Sequence, residues 1–156
     1  MISLKKRDQG FTIVELLIVI VVIGILALLV ITTYGGIQAK ARNAKRSSDI
    51  KSLQTQIEAF FSQNGYYPSL TDMNSSTWLG DNMKSLDQNA LVDPSNATQS
   101  KTLVDTPAAK SYAYAVTDSS GNSCESDDTT CAKYTLTATY EGTVNGAGTA
   151  VAQNLD

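Results

Sequence analysis

The chain has 156 residues and a formal net charge of −3, and it contains no histidine. That composition excludes His-based general-base catalysis, Cys-His and Ser-His nucleophile pairs and His-ligated metals, and it supplies no overall basic field to attract nucleic acid. The apolar residues are gathered at one end: sixteen consecutive positions, Leu16 to Ile31, precede a polar remainder of 125 residues, long enough to bury a core of its own.

Residues 1–10 carry Lys5, Lys6 and Arg7 and no hydrophobic run. They read as a positive flank that stays in the cytoplasm, with the C-terminal part of the chain outside. Residues 11–31 then form an apolar segment of 21 residues, about 31 Å of helix, which matches a bilayer core of about 30 Å. It is apolar around its whole circumference, so lipid or other helices must surround it. A secretory signal peptide has a shorter apolar run, about 7–15 residues, ending at a small-residue cleavage site. Ala39-Lys40-Ala41 offers such a site only well past Ile31. A plain membrane anchor is the other competitor. Neither accounts for Glu15.

A carboxylate inside a membrane segment costs on the order of 3 kcal/mol or more and calls for a partner. The apolar segment itself contains no cation. A cut between Gly10 and Phe11 would create one: the new α-amino group would sit four residues before Glu15, one helical turn away on the same face. Glu15 would then pair with its own ammonium or that of an adjacent copy, and one pair per subunit would fix the axial register between neighbouring helices. Thr12 adds a hydroxyl able to cap the new helix start.

Lys-Lys-Arg-Asp-Gln-Gly followed by Phe-Thr-Ile-Val-Glu-Leu-Leu-Ile-Val-Ile (residues 5–20) resembles the prepilin signature of type IV pilins and type II secretion pseudopilins. The resemblance implies residues 1–10 as a leader peptide removed after Gly10 by a prepilin peptidase, N-methylation of Phe11, and an assembly role for Glu15 with Thr12 beside it. Many such proteins have proline where this chain has Thr32, which permits local melting of the helix. Here Gly24 and the pair Gly35-Gly36 are the weak points, glycine costing a helix about 1 kcal/mol relative to alanine, and melting or bending is expected around Gly35-Gly36.

Residues 32–63 are expected to continue the helix into the head, with Ile37, Ala41 and Ala44, then a stripe of Ile50, Leu53, Ile57 and Phe60 able to cover a sheet. Helix from Phe11 to Gln63 would run to 53 residues, roughly 80 Å. Lys40, Arg42, Lys45, Arg46 and Lys51 lie between the apolar positions and read as a solvated face rather than a nucleic-acid site, since no aromatics are interleaved with them. Asn64-Gly65 and Pro68 stop the helix. The stretch from Asp49 to Ser69 is similar to the helix end and exit turn of pseudopilins and several pilins, with Tyr66 and Tyr67 as packing residues.

Residues 64–156 form the expected α+β head. Turns or short helical pieces occupy 70–110, with Trp78 as a core anchor. Alternation at residues 112–116 and 134–140 signals strands with one buried face, and a last short strand is expected near Thr149 to Ala152. Cys124 and Cys131, in the connection Asp118 to Cys131, are read as a disulfide, which fits an oxidising, extracytoplasmic location. The architecture is thus one long helix on a small antiparallel sheet, the pilin fold of the resemblance.

Asp118, Glu125, Asp127 and Asp128 share that connection. Some pseudopilins bind calcium in a C-terminal loop, but the spacing here is not that of an EF-hand, so a Ca²⁺ site is disfavoured and no cofactor or metal is expected. The resemblance implies a structural, non-enzymatic subunit: a single-pass cytoplasmic-membrane precursor that polymerises into a cell-surface type IV pilus for adhesion, twitching motility or DNA uptake. Its implied partners are other pilin subunits, the prepilin peptidase, and the inner-membrane platform and assembly ATPase, without direct binding of nucleic acid. The alternative is a pseudopilin of a type II secretion or competence system. Against it, the Trp-Gly-Asn-Pro-Tyr stretch common in major pseudopilins has only Val92-Asp93-Pro94 as a faint counterpart. A membrane-tethered enzyme is the third reading, and residues 70–156 give it no catalytic signature.

Overall fold

The structure, a computed structural model, describes residues 10–126 and 128–155. The chain separates into two compact units, residues 1–38 and 39–156. Helix α1 spans Ile13–Asn64 and so contributes to both. It starts two residues later and ends one later than the sequence pattern predicts. The glycine pair does not interrupt it: Gly35 and Gly36 are helical, and the expected melting point is continuous helix. A cost of about 1 kcal/mol per glycine is small beside the cooperativity of the flanking turns.

In the first unit the apolar side chains are exposed all around the helix, from Ile13 through Ile31. Its many β-branched residues are indifferent helix formers in water. In lipid the helix is favoured because it satisfies every backbone polar group within the segment. The helix is long and apolar enough to cross a membrane.

In the second unit, Ile50, Leu53, Ile57 and Phe60 are buried, the predicted stripe. Ile37, Ala41 and Ala44 are exposed. Between Ala39 and Asp49 the buried positions are instead Asn43, Arg46 and Asp49. The helix ends on Gly65, whose φ of +80° is the left-handed conformation that closes a helix at low steric cost. The Gly65 N–H donates to the Phe61 carbonyl at 2.7 Å.

Two short helices, α2 (Leu70–Met73) and α3 (Ser76–Asn82), and a 3₁₀ turn at Gln88–Leu91 follow. Ser69 and Asp72 form a capping box on α2, and the Ser75 hydroxyl caps α3. The sheet is an antiparallel meander of β1 (Tyr112–Asp118), β2 (Cys131–Val144) and β3 (Ala147–Gln153). Tyr112, Tyr114 and Val116 of β1, Tyr134, Leu136 and Ala138 of β2, and Ala152 of β3 join the helical stripe in one core. Phe60 meets Trp78 at a ring separation of 5.2 Å, so Trp78 packs against this core while remaining half-buried.

β3 is longer than the four residues predicted. It pairs back through Asn145-Gly146, both at positive φ, the dipeptide that best suits a two-residue hairpin turn. The β2–β3 register slips between Thr139 and Val144. Glu141 lies in that slip, and irregularities of this kind re-aim side chains.

Candidate functional site

Phe11, at 88% exposure, and Gly10 precede α1. Thr12 caps the helix and Glu15 reaches back to it. The Glu15 Oε2 accepts from the Thr12 N–H at 2.8 Å and from the Thr12 hydroxyl at 2.7 Å, while the Glu15 N–H donates to the Thr12 Oγ1 at 3.3 Å. These are the reciprocal bonds of a capping box. They hold a carboxylate at the positive end of the helix dipole, where negative charge is stabilised. The structure therefore brings Thr12 and Glu15 together, with Gly10 and Phe11 directly before them in the chain and outside the helix. Lys5, Lys6, Arg7 and the rest of residues 1–9 lie outside the described residues.

A second constellation lies in the head, and sequence reasoning missed it. Arg46, which the sequence pattern puts on a solvated face, is only 1% exposed, as is its partner Asp93. The guanidinium grips Asp93 through two bonds, Nε to Oδ2 at 2.7 Å and Nη2 to Oδ1 at 3.0 Å, and donates from Nη1 to the Asn43 Oδ1 at 2.7 Å and the Glu141 Oε1 at 3.0 Å. Nη2 also bonds the Ser95 hydroxyl. Arg42 donates to the same Glu141 from Nε at 2.6 Å. The Asn43 side-chain amide accepts from the Glu141 N–H at 3.0 Å and donates to the Glu141 carbonyl at 3.1 Å. Asp49 receives Lys45 on one oxygen and the Tyr112 hydroxyl, at 2.9 Å, on the other.

Arginine, with five donors in a planar fork, suits such a site better than lysine. The charges respond accordingly. Burial pushes the Asp93 carboxyl up, but Arg46 and Ser95 outweigh it and hold it below the usual carboxylate range. Hydrogen bonding to Arg42, then Arg46, pulls Glu141 down to about 2. The result is a polar clamp fastening α1 to the 92–96 loop and to β2.

Below the clamp, Glu58 accepts from the Tyr134 hydroxyl at 2.9 Å, the Tyr67 hydroxyl at 3.1 Å and the Leu155 N–H at 3.1 Å. Tyr67 and, more loosely, Tyr66 are packing residues: Tyr67 stacks on Phe61 at 4.3 Å and Tyr66 meets Phe60 at 5.4 Å.

Cys124 and Cys131 are joined in a disulfide with a Cα separation of 5.9 Å. It ties the loop to the first residue of β2. Asp128 comes within 4.8 Å of both sulfurs, but sulfurs spent in a disulfide offer no thiolate to a metal. Asp118 already accepts from the Ser120 N–H and from the Asn122 N–H and side-chain amide, and Asp128 from Thr130. Asp127 lies outside the described residues. Asp118 and Asp128 thus cap their own turns.

The family described as the prokaryotic N-terminal methylation motif matches residues 5–31. Type II secretion system core protein G of Dickeya chrysanthemi is 38% identical over 66 residues, 42% of this chain and 43% of that protein. The core protein G of Pectobacterium carotovorum is 41% identical over 63 residues, 40% of each chain. Type IV major pilin protein PilA of Myxococcus xanthus is 38% identical over 63 residues, 40% of this chain and 29% of the pilin. The match thus spans less than half the length of each of these relatives. No solved structure matches the chain significantly. With a long N-terminal helix, a three-stranded antiparallel sheet and a methylation motif over residues 5–31, the chain is similar over its N-terminal part to type II secretion core proteins and to a type IV pilin.

Proposed function

We propose that this chain is a structural pilin: a membrane-stored precursor, cut between Gly10 and Phe11, methylated at Phe11 and polymerised into an extracellular type IV pilus. The observation that carries the reading is a helix whose stretch from Ile13 to Ile31 is exposed and apolar on every side save one acid, Glu15, bonded to Thr12 and four residues after Phe11 in sequence. In the precursor, Thr12 occupies that acid. After processing, the α-ammonium of Phe11 becomes the stronger partner, because in a low-dielectric bundle a carboxylate gains more from a full positive charge than from an uncharged hydroxyl or amide donor. A pair made to a neighbour's ammonium sets the axial step between subunits. Packing of the apolar helices supplies the lateral cohesion, and the head units form the filament wall. Before assembly the chain is a single-pass membrane protein with its head outside, where the Cys124–Cys131 disulfide is stable.

A second reading is favoured by the relatives named as core protein G of type II secretion systems: the same subunit physics in a secretion pseudopilus. One preparation tests both. Filaments sheared from the surface of the producing cells, analysed by mass spectrometry, are expected to contain this chain beginning at methylated Phe11. A chain that begins at Met1 ends the prepilin reading. A processed chain absent from surface filaments, in cells whose deletion strain fails to export proteins, selects the pseudopilus.

A further inference from the structure

We propose that Asn96 is an acceptor for an N-linked glycan. Asn96-Ala97-Thr98 is an Asn-x-Thr triplet with no proline at its centre, the pattern read by N-glycosylating transferases. The turn that carries it follows Asp93, which Arg46 fixes from beneath, and the Asn96 N–H donates to the Asp93 carbonyl at 2.9 Å. The Asn96 Oδ1 accepts from the Thr98 N–H at 3.0 Å and from the Thr98 hydroxyl at 2.8 Å. This is an Asx turn within the triplet itself. Ala97, Thr98 and Gln99 are exposed and Asn96 is half-exposed. The amide nitrogen makes one long bond, 3.2 Å to the Lys110 carbonyl, which a transferase can displace at small cost.

The arrangement suits the chemistry. Two donors on the amide oxygen draw electron density from the nitrogen and make its N–H easier to deprotonate. The co-substrate is a sugar esterified at its anomeric carbon to phosphate or pyrophosphate. The amide nitrogen attacks that carbon, a new N–C bond forms, and the C–O bond to phosphate breaks. The phosphate leaves with the electron pair, and the amide proton passes to a base of the transferase. Nothing is oxidised or reduced.

The chain contains a second such triplet, Asn74-Ser75-Ser76, and the structure separates the two. The Asn74 amide is clamped at both ends to Leu103, Nδ2 to its carbonyl at 3.0 Å and Oδ1 from its N–H at 2.7 Å. Ser75 caps α3 and Ser76 lies inside it. A triplet committed to a helix start cannot open into a transferase without unfolding that turn. Asn96 is the acceptor and Asn74 is not.

Residues 93–110 carry this geometry without reference to the filament, so the glycan and the pilus reading stand or fall separately. The full chain, purified from the cells that make it and digested with trypsin, gives Asn96 in the peptide Ser85–Lys101 and Asn74 in Ser52–Lys84. The expected result is a sugar mass on the first peptide, localised to Asn96 by electron-transfer fragmentation, with the second unmodified. Asn96→Gln and Thr98→Ala should abolish it and Thr98→Ser should retain it. An unmodified Ser85–Lys101 peptide, a sugar on a Ser or Thr of that peptide, or a sugar that survives Thr98→Ala overturns the assignment. Depletion of lipid-linked donors then identifies the sugar's carrier: loss of the glycan indicates an isoprenoid phosphate, retention a nucleotide sugar, and either keeps Asn96 as the acceptor.

Discussion

Arg46 is the residue on which the head's polar packing turns. A buried arginine is tolerated only when its donors are matched, and here Asp93, Glu141, Asn43 and Ser95 match them. Removing one member exposes the logic. Asp93→Ala leaves a buried guanidinium with its main counter-charge gone, and breaking such a pair costs about 3–5 kcal/mol. Glu141 and Asn43 remain, so about 3 kcal/mol is the expected loss. Urea unfolding of the detergent-solubilised full chain, followed by fluorescence of Trp78, measures it. Arg46→Met with Asp93→Leu removes both charges at once and is expected to recover most of that loss, because an apolar pair of similar size carries no desolvation penalty. A double variant no more stable than Asp93→Ala would show that the site acts through shape rather than charge.

Between elements, the head half of α1 is fastened in two ways, by polar bonds at Asn43, Arg46 and Asp49 and by apolar burial from Ile50 to Phe60. The apolar half was legible in the sequence because burying one face of a helix, turn after turn, leaves a spacing of three and four. The strand faces were legible for the same kind of reason, with Tyr112, Tyr114 and Val116 alternating inward. The polar half was not. Arg46 stands among other cations, and its carboxylate partners lie 47 and 95 residues away in sequence, so no local pattern marks it as buried. Asn145-Gly146 is a different case: the turn signal was present, and the strand on either side extends to meet it. At the N-terminus, Thr12 was readable as the cap, whereas the bond from Glu15 back to it was not, Glu15 having been matched to the Phe11 ammonium alone.

The polar half makes the docking of β2 on α1 sensitive to acid. Glu141 has its carboxyl lowered from 4.5 to about 2 by Arg42 and Arg46, and Asp93 is lowered as well. A carboxyl lowered by folding stabilises fully above its unfolded value, and that stabilisation is lost as pH falls towards the folded one. The melting temperature of the head should therefore hold at neutral pH and decline from about pH 4.5 to about 2. Glu141→Gln, with no charge to lose, should decline less steeply over the same range. Equal slopes for the two proteins, read by calorimetry, would remove Glu141 from the account.

At the scale of the whole molecule, one chain must satisfy two solvents. The head buries its apolar surface within itself, whereas the first unit displays its own on all sides and is stable only in lipid or against other helices. Glu15 sits at the start of that displayed surface, and two accounts of it make different predictions. If its work is to cap the helix through Thr12, then Glu15→Gln should behave as wild type, since glutamine serves equally at that position of a capping box. If its work is to meet the ammonium of a processed Phe11, then Glu15→Gln and Glu15→Ala should fail alike, because both lack the charge. Both variants should enter the membrane normally, a carboxylate having been removed from lipid. The pairing account expects surface filament yield to fall at least about tenfold in each, the factor that about 1.4 kcal/mol carries, with processing at Gly10 unchanged. Immunoblots of membrane and sheared fractions separate insertion from assembly. A Glu15→Gln strain with filaments of ordinary number and length would assign the acid to its own helix and leave subunit register to some other contact.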